Sequence, residues 1–116
     1  MMVLADTSVW IDHFRRGNPG LASLLSKGHI LMHPFISGEL ACGNLKNRAG
    51  ILADLNALPS AKPATNDEVL WLIEDQRLWG KGLGWVDVHL LASAMLSKCR
   101  FLTLDTRLAK AALELV

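Results

Sequence analysis

The sequence predicts an α/β domain whose parallel sheet is covered on both faces. Three observations carry this reading. Short apolar runs alternate with longer segments of helical period; the runs are apolar at their centres, as strands buried from both sides must be; and 116 residues supply one packed core of ordinary size but not two. Residues 1–116 therefore read as a single domain.

The first strand runs from Met2 to Ala5. Asp6-Thr7-Ser8 follows, with Thr7 and Ser8 suited to cap a helix carrying Val9, Trp10, Ile11 and Phe14, and the breaker cluster Gly17-Asn18-Pro19-Gly20 ends it. A second helix covers Leu21 to Ser26. His29 to His33 reads as a buried parallel strand, and Pro34 suits the first position of a helix over Phe35 to Leu45 that contains Gly43. Residues 47 to 58 form another helix, stopped by Pro59; the Ser-Ala-Lys-Pro stretch after it shows no clear strand pattern. Thr65-Asn66-Asp67-Glu68 is a capping box that opens a helix to about Trp79. Gly80, Gly82 and Gly84 then break the chain. Val86 to Cys99 is strongly helical, Phe101 to Leu104 is a strand, Asp105 to Leu113 is helical and Leu115-Val116 is a short final strand.

Composition excludes several classes. Apolar types are 51% and charged types 20% of the chain, unlike the composition that keeps chains disordered. Charge interrupts every apolar stretch before the roughly 18 residues of a membrane span, and Asp6 cuts the apolar start short of a signal-peptide core. A cytoplasmic protein with no membrane partner is expected. Cys42 and Cys99 lie in apolar helical segments and read as buried free thiols. His13, His29, His33 and His89 lack a compact metal-ligand spacing and read as structural.

Four acids sit where a plain core has no use for them. Asp6 and Asp105 each follow a strand, so a parallel sheet brings both to the edge where open α/β folds bind ligands. Asp87 begins the stripe Asp87, Leu90, Leu91, Ala94, Met95, whose spacing is that of a buried helix face. Glu39 lies three residues after Ile36 and one before Leu40, on the apolar side of its own helix. Each acid near a helix start also suits capping, but four inward carboxylates reaching one edge are read more economically as a divalent-metal site, with oxygen ligands suiting Mg²⁺ or Mn²⁺.

At these residues the chain resembles a family. The pieces Val3-Leu4-Ala5-Asp6-Thr7-Ser8-Val9-Trp10-Ile11, Glu39-Leu40-Ala41, Trp85-Val86-Asp87-Val88-His89-Leu90-Leu91-Ala92-Ser93-Ala94 and Leu102-Thr103-Leu104-Asp105-Thr106-Arg107-Leu108 are similar to the successive motifs of PIN-domain nucleases, closest to the VapC-type toxins. The resemblance implies a three-layer α/β/α sandwich, Mg²⁺-dependent cleavage of single-stranded or loop RNA, a homodimer and a cognate antitoxin. It assigns Asp6, Glu39, Asp87 and Asp105 to the catalytic cluster, with Asp6, Asp87 and Asp105 as metal ligands and Ser8 and Thr103 as supporting hydroxyls.

The net charge is +1, yet Arg15, Arg16, Lys46 and Arg48 fall in a stretch whose one acid is Glu39; with Arg107 they are candidates to hold an RNA backbone. Trp71 and Leu78, seven residues apart, fall opposite the apolar stripe Val69, Leu72, Ile73 and are candidates for a protein contact. Two other readings compete. A Mg²⁺-binding receiver-like signalling module would place adjacent acids after its first strand, where Thr7 follows Asp6 here. A PIN fold that only binds RNA or a partner would have no need of intact acids.

Overall fold

Val3–Ala5 is a run of three buried apolar residues, too short for a helix, and it forms β1 at the centre of the sheet. In the computed structural model, which describes residues 1–116, β1 pairs in parallel with β2 (Ile30–Leu31) on one side and β3 (Arg100–Leu102) on the other. A parallel bridge between Met32 and Ser60 adds one extended position beyond β2, with the Met32 N–H donating to Pro59 O and the Ala61 N–H to Met32 O. A pairing that brief leaves no periodic signal, which is why the segment after Pro59 does not read as a strand.

Seven helices surround the sheet: α1 (Thr7–Arg16), α2 (Pro19–Ser26), α3 (Pro34–Ala41), α4 (Arg48–Ala57), α5 (Asn66–Gln76), α6 (Trp85–Ser97) and α7 (Thr106–Leu115). All three strands end at one edge, and α1, α3 and α7 start from it. Helix α6 runs the opposite way, because its C-terminus turns directly into β3; its N-terminus therefore lies over that same edge. The main core joins the sheet to Val9 and Trp10 of α1, Ile36 and Leu40 of α3 and Leu90 and Ala94 of α6. Helix α6 also packs Val88 and Ala92 against Val69 and Leu72 of α5, and Leu91 against Leu108 and Ala111 of α7. The result is the expected α/β/α sandwich, in which α6 is shared by three packing clusters. None of the helices is long and apolar enough to cross a membrane.

Several boundaries differ from the sequence reading, each for a local reason. Helix α3 stops at Ala41, not Leu45: the Cys42 N–H tightens onto Gly38 and Glu39 carbonyls, and the Arg48 guanidinium takes the carbonyls of Ala41 and Gly43. Cys42 is consequently exposed, while Cys99 is buried as expected and its thiol is pushed up by burial. Helix α5 ends at Gln76 rather than Trp79 because Arg77 adopts a left-handed φ of 51° and the Leu78 N–H folds back onto Ile73 O at 3.0 Å. Lys98 ends α6 in the same way, with φ of 52° and the Cys99 N–H on Ala94 O at 3.2 Å. Leu115 is the last residue of α7, so no final strand forms. Met95, expected on the buried stripe of α6, is 37% exposed and lines a surface groove with Trp71 and Leu96.

Candidate active site

Asp6 is buried at the end of β1 and caps α1, a role the sequence reading gives to Thr7 or Ser8. Its Oδ1 accepts the Ser8 N–H at 3.1 Å and the Ser8 hydroxyl; its Oδ2 accepts the Thr103 hydroxyl at 2.7 Å. Each hydroxyl in turn accepts a backbone N–H from the loop between β3 and α7: Leu104 N–H donates to Ser8 Oγ and Asp105 N–H to Thr103 Oγ1, both at 3.0 Å. An acceptor-only carboxylate meets three donors here, which removes most of the cost of burying it. The hydroxyls thereby tie the first turn of the chain to the loop that carries Asp105.

The other acids stand differently. Glu39 is exposed on α3, not inward as its position beside Leu40 suggests, and its Oε1 accepts the Thr7 hydroxyl at 3.4 Å. Asp105 is exposed and caps α7 through Arg107 N–H at 2.9 Å and Leu108 N–H at 3.1 Å. Asp87 is half-buried in the first turn of α6, where its Oδ2 accepts the Gly84 N–H at 2.8 Å. Asp6, Glu39 and Asp105 are thus linked through Thr7, Ser8 and Thr103, whereas Asp87 shares their edge by the direction of α6 with no hydrogen bond to them. No three acidic, histidine or cysteine side chains stand close enough to share one cation. The donor set is nonetheless all oxygen, and Mg²⁺ is commonly held by one or two carboxylates plus water and substrate phosphate, not by a closed protein cage. These residues fit such an ion.

Two buried histidines lie beside the acids. His33, between β2 and α3, caps α3 by accepting the Phe35 N–H on Nδ1 at 2.9 Å, which places its proton on Nε2. Burial, and then the nearby His89, hold its pKa down to about 4; burial lowers that of His89 as well. Both imidazoles are neutral near pH 7, and both Nε2 atoms lack a hydrogen-bond partner. The residues sequence reasoning passed over are next to them: Phe35 and Trp85 are large, aromatic and exposed at this edge. Trp85 stands inside a quoted motif, but nothing in its spacing marks it as exposed.

The cations divide into near and far. Arg107, on the first turn of α7, lies against Gly82, where an added Cβ would come within 2.7 Å of its Nη1. With Lys81, Lys110 and the acid Glu114 it lines a cavity of about 320 Å³, in which three cations face one carboxylate. Lys81 and Lys110 are far apart in sequence and meet only through the fold, so no run of charge announces them. Arg15 and Arg16 end α1, roughly 14 Å along the helix from Asp6. Arg16 pairs with Asp12, whose carboxyl its guanidinium and the Asn18 amide hold below the usual range. Arg48 is occupied by the end of α3, and Lys46 is exposed between α3 and α4.

Of the two residues expected to face a partner, only Trp71 is exposed, at 65%. Leu78 is 4% exposed in the α5–α6 core, because the left-handed turn at Arg77 carries it off the helix face on which it was counted. Trp71 instead borders a groove of about 360 Å³ with Met95 and Leu96.

A short parallel sheet between helices, with acids at its C-terminal edge and Asp6, Asp87 and Asp105 each accepting a backbone N–H where a helix begins, is an α/β/α domain whose polar site lies at one sheet edge. Residues 3–114 match the PIN domain, and the chain belongs to that family. It is 44% identical over 114 residues to the protein named Ribonuclease VapC32 of Mycobacterium tuberculosis, in strain CDC 1551 / Oshkosh and in strain ATCC 25618 / H37Rv; the alignment covers 97% of this chain and 92% of the relative.

Proposed function

We propose that this chain, as one nuclease domain, is a Mg²⁺- or Mn²⁺-dependent endoribonuclease that cleaves single-stranded RNA and acts as the toxin of a toxin–antitoxin pair. Likeness to a ribonuclease over nearly the whole length supports the activity. The observation that carries the site is Asp6: a buried carboxylate given three donors and placed at the sheet edge is a group held in one fixed orientation.

In this reading Asp6, Asp87 and Asp105 would supply the oxygen donors for the ion, no more than two of them directly and the remainder through water, and Glu39 would position the attacking water. The metal, when bound, supplies Lewis-acid activation and offsets charge on the phosphodiester. Ser8 and Thr103 keep Asp6 oriented by donating to its two oxygens. Arg107, Lys81 and Lys110 hold the RNA backbone; of the other basic candidates, Lys46 is free to join them, while Arg15, Arg16 and Arg48 are distant or engaged elsewhere. Trp71, with Met95 and Leu96, supplies the surface for a second copy or an antitoxin in the cytoplasm.

The test is incubation of the purified protein with a mixed RNA pool, with Mg²⁺ and with EDTA. Cleavage that requires the metal supports the reading; RNA binding without cleavage in any metal would favour a PIN fold that only binds.

A further inference from the structure

Phe35 and Trp85 are exposed aromatic rings, 38% and 42% accessible, at the edge that carries the acids and hydroxyls. They are fixed in place by the two buried imidazoles. Ring centroids run from His33 to Phe35 at 5.2 Å, from Phe35 to His89 at 4.9 Å and from His89 to Trp85 at 4.7 Å, the last two contacts near edge-to-face at 70° and 78°. A tilted contact of this kind engages at most one face of the indole.

The position of the rings matters as much as their exposure. Phe35 precedes Glu39 by one helical turn on α3, a spacing that puts their Cβ atoms roughly 6 Å apart. His89 and Trp85 each lie two residues from Asp87 on α6. The Phe35–His89 contact therefore bridges α3 and α6, the two helices that carry Glu39 and Asp87, and sets the exposed rings at the same end of the sheet as these acids.

From this geometry we infer that Phe35 and Trp85 form a stacking subsite for an unpaired nucleobase next to the acids. The inference rests on the proposed ribonuclease reading and deepens it: the substrate is gripped through a base as well as through its backbone. A duplex, whose bases are already stacked and paired, is refused at this subsite, and single strands are favoured.

The test compares two probes of equal charge, a short single-stranded oligoadenylate and an abasic ribose-phosphate chain of the same length, binding in EDTA to the full-length protein. The parent should prefer the oligoadenylate. Trp85→Ala should lower affinity for it about tenfold, the scale of one lost stacking contact, and leave the abasic chain unaffected; Phe35→Ala should act in the same direction and Trp85→Phe should retain most of the preference. Thermal melting checks that the variants fold, as expected for exposed side chains. A parent that cleaves RNA while Trp85→Ala and Phe35→Ala keep the full base preference would overturn this inference alone and leave the rings to a protein contact. A parent that binds neither probe and cleaves nothing would overturn the ribonuclease reading with it.

Discussion

The Thr103 hydroxyl donates to Asp6 Oδ2 at 2.7 Å across a separation of 97 residues, and Thr103 Oγ1 accepts the N–H of Asp105 at 3.0 Å. One hydroxyl thus fixes a buried carboxylate and the start of α7 together. Thr103→Val keeps the shape and removes both bonds, leaving Asp6 Oδ2 without its donor. Urea unfolding should show a loss of about 1–2 kcal/mol, and Thr103→Ser should restore most of it. An unchanged midpoint for Thr103→Val would show that the bond contributes nothing to stability.

The glycine loop before α6 bears on the cationic cavity. Gly82 has φ of 78°, and an alanine there would meet Arg107 Nη1 at 2.7 Å and Cδ at 2.8 Å. Gly82→Ala should cost about 1 kcal/mol of stability from backbone strain and displace the guanidinium. If Arg107 holds RNA phosphate, both Gly82→Ala and Arg107→Gln should weaken RNA binding and lower the slope of log affinity against log salt by about one. Titrations at several salt concentrations measure this directly; an unchanged slope in both variants would remove Arg107 from the RNA contact.

Stability should also fall on acidification. His33 has its pKa depressed to about 4 by burial, so between about 6.5 and 4 the unfolded chain binds more protons than the folded one. The stabilisation is fully present above pH 6.5 and is lost progressively as pH falls toward 4, by about 3 kcal/mol in all. His33→Asn keeps a residue that can cap α3 and should flatten this part of the profile. Equal slopes for parent and variant in urea unfolding between pH 7 and 5 would assign the effect to other groups.

Burial separates Leu78 from Trp71. Leu78→Ala opens a cavity in the α5–α6 core and should cost about 2–4 kcal/mol, whereas Trp71→Ala should change stability by less than about 0.5 kcal/mol. Trp71→Ala should instead weaken self-association or antitoxin binding, read by sedimentation and titration. Equal melting temperatures for the two variants would contradict the packing described for Leu78.

The contrast between those two residues also marks how far the sequence could be read. The passage from β1 through Asp6 into α1, the capping box at Thr65 and Glu68, and the acids after β1 and before α7 were legible because each is a local pattern of few residues. Leu78 was not, since helical periodicity holds only while the helix continues and the left-handed Arg77 ends it one residue earlier. Glu39 and Met95 show a second limit: sequence spacing places a residue on a face of its helix, but which part of that face is covered depends on where neighbouring elements stop. The cavity shared by Lys81, Arg107 and Lys110 and the ring series from His33 to Trp85 are assembled by tertiary contacts alone, and no window of sequence contains them.

The central claim is that Asp6 is a metal ligand of a ribonuclease as well as the cap of α1. Asn caps a helix nearly as well as Asp but supplies a weaker oxygen donor to a hard cation, so Asp6→Asn separates the two roles. The decisive measurement is the single-turnover cleavage rate of a labelled single-stranded oligoribonucleotide by the parent and by Asp6→Asn across a Mg²⁺ titration, with folding of both confirmed by melting. The account predicts Mg²⁺-dependent cleavage by the parent, none in EDTA, and a loss of at least about a hundredfold in the variant, the scale of removing a principal electrostatic contribution. A folded Asp6→Asn protein that cleaves at the parent's rate with the parent's Mg²⁺ dependence would contradict it.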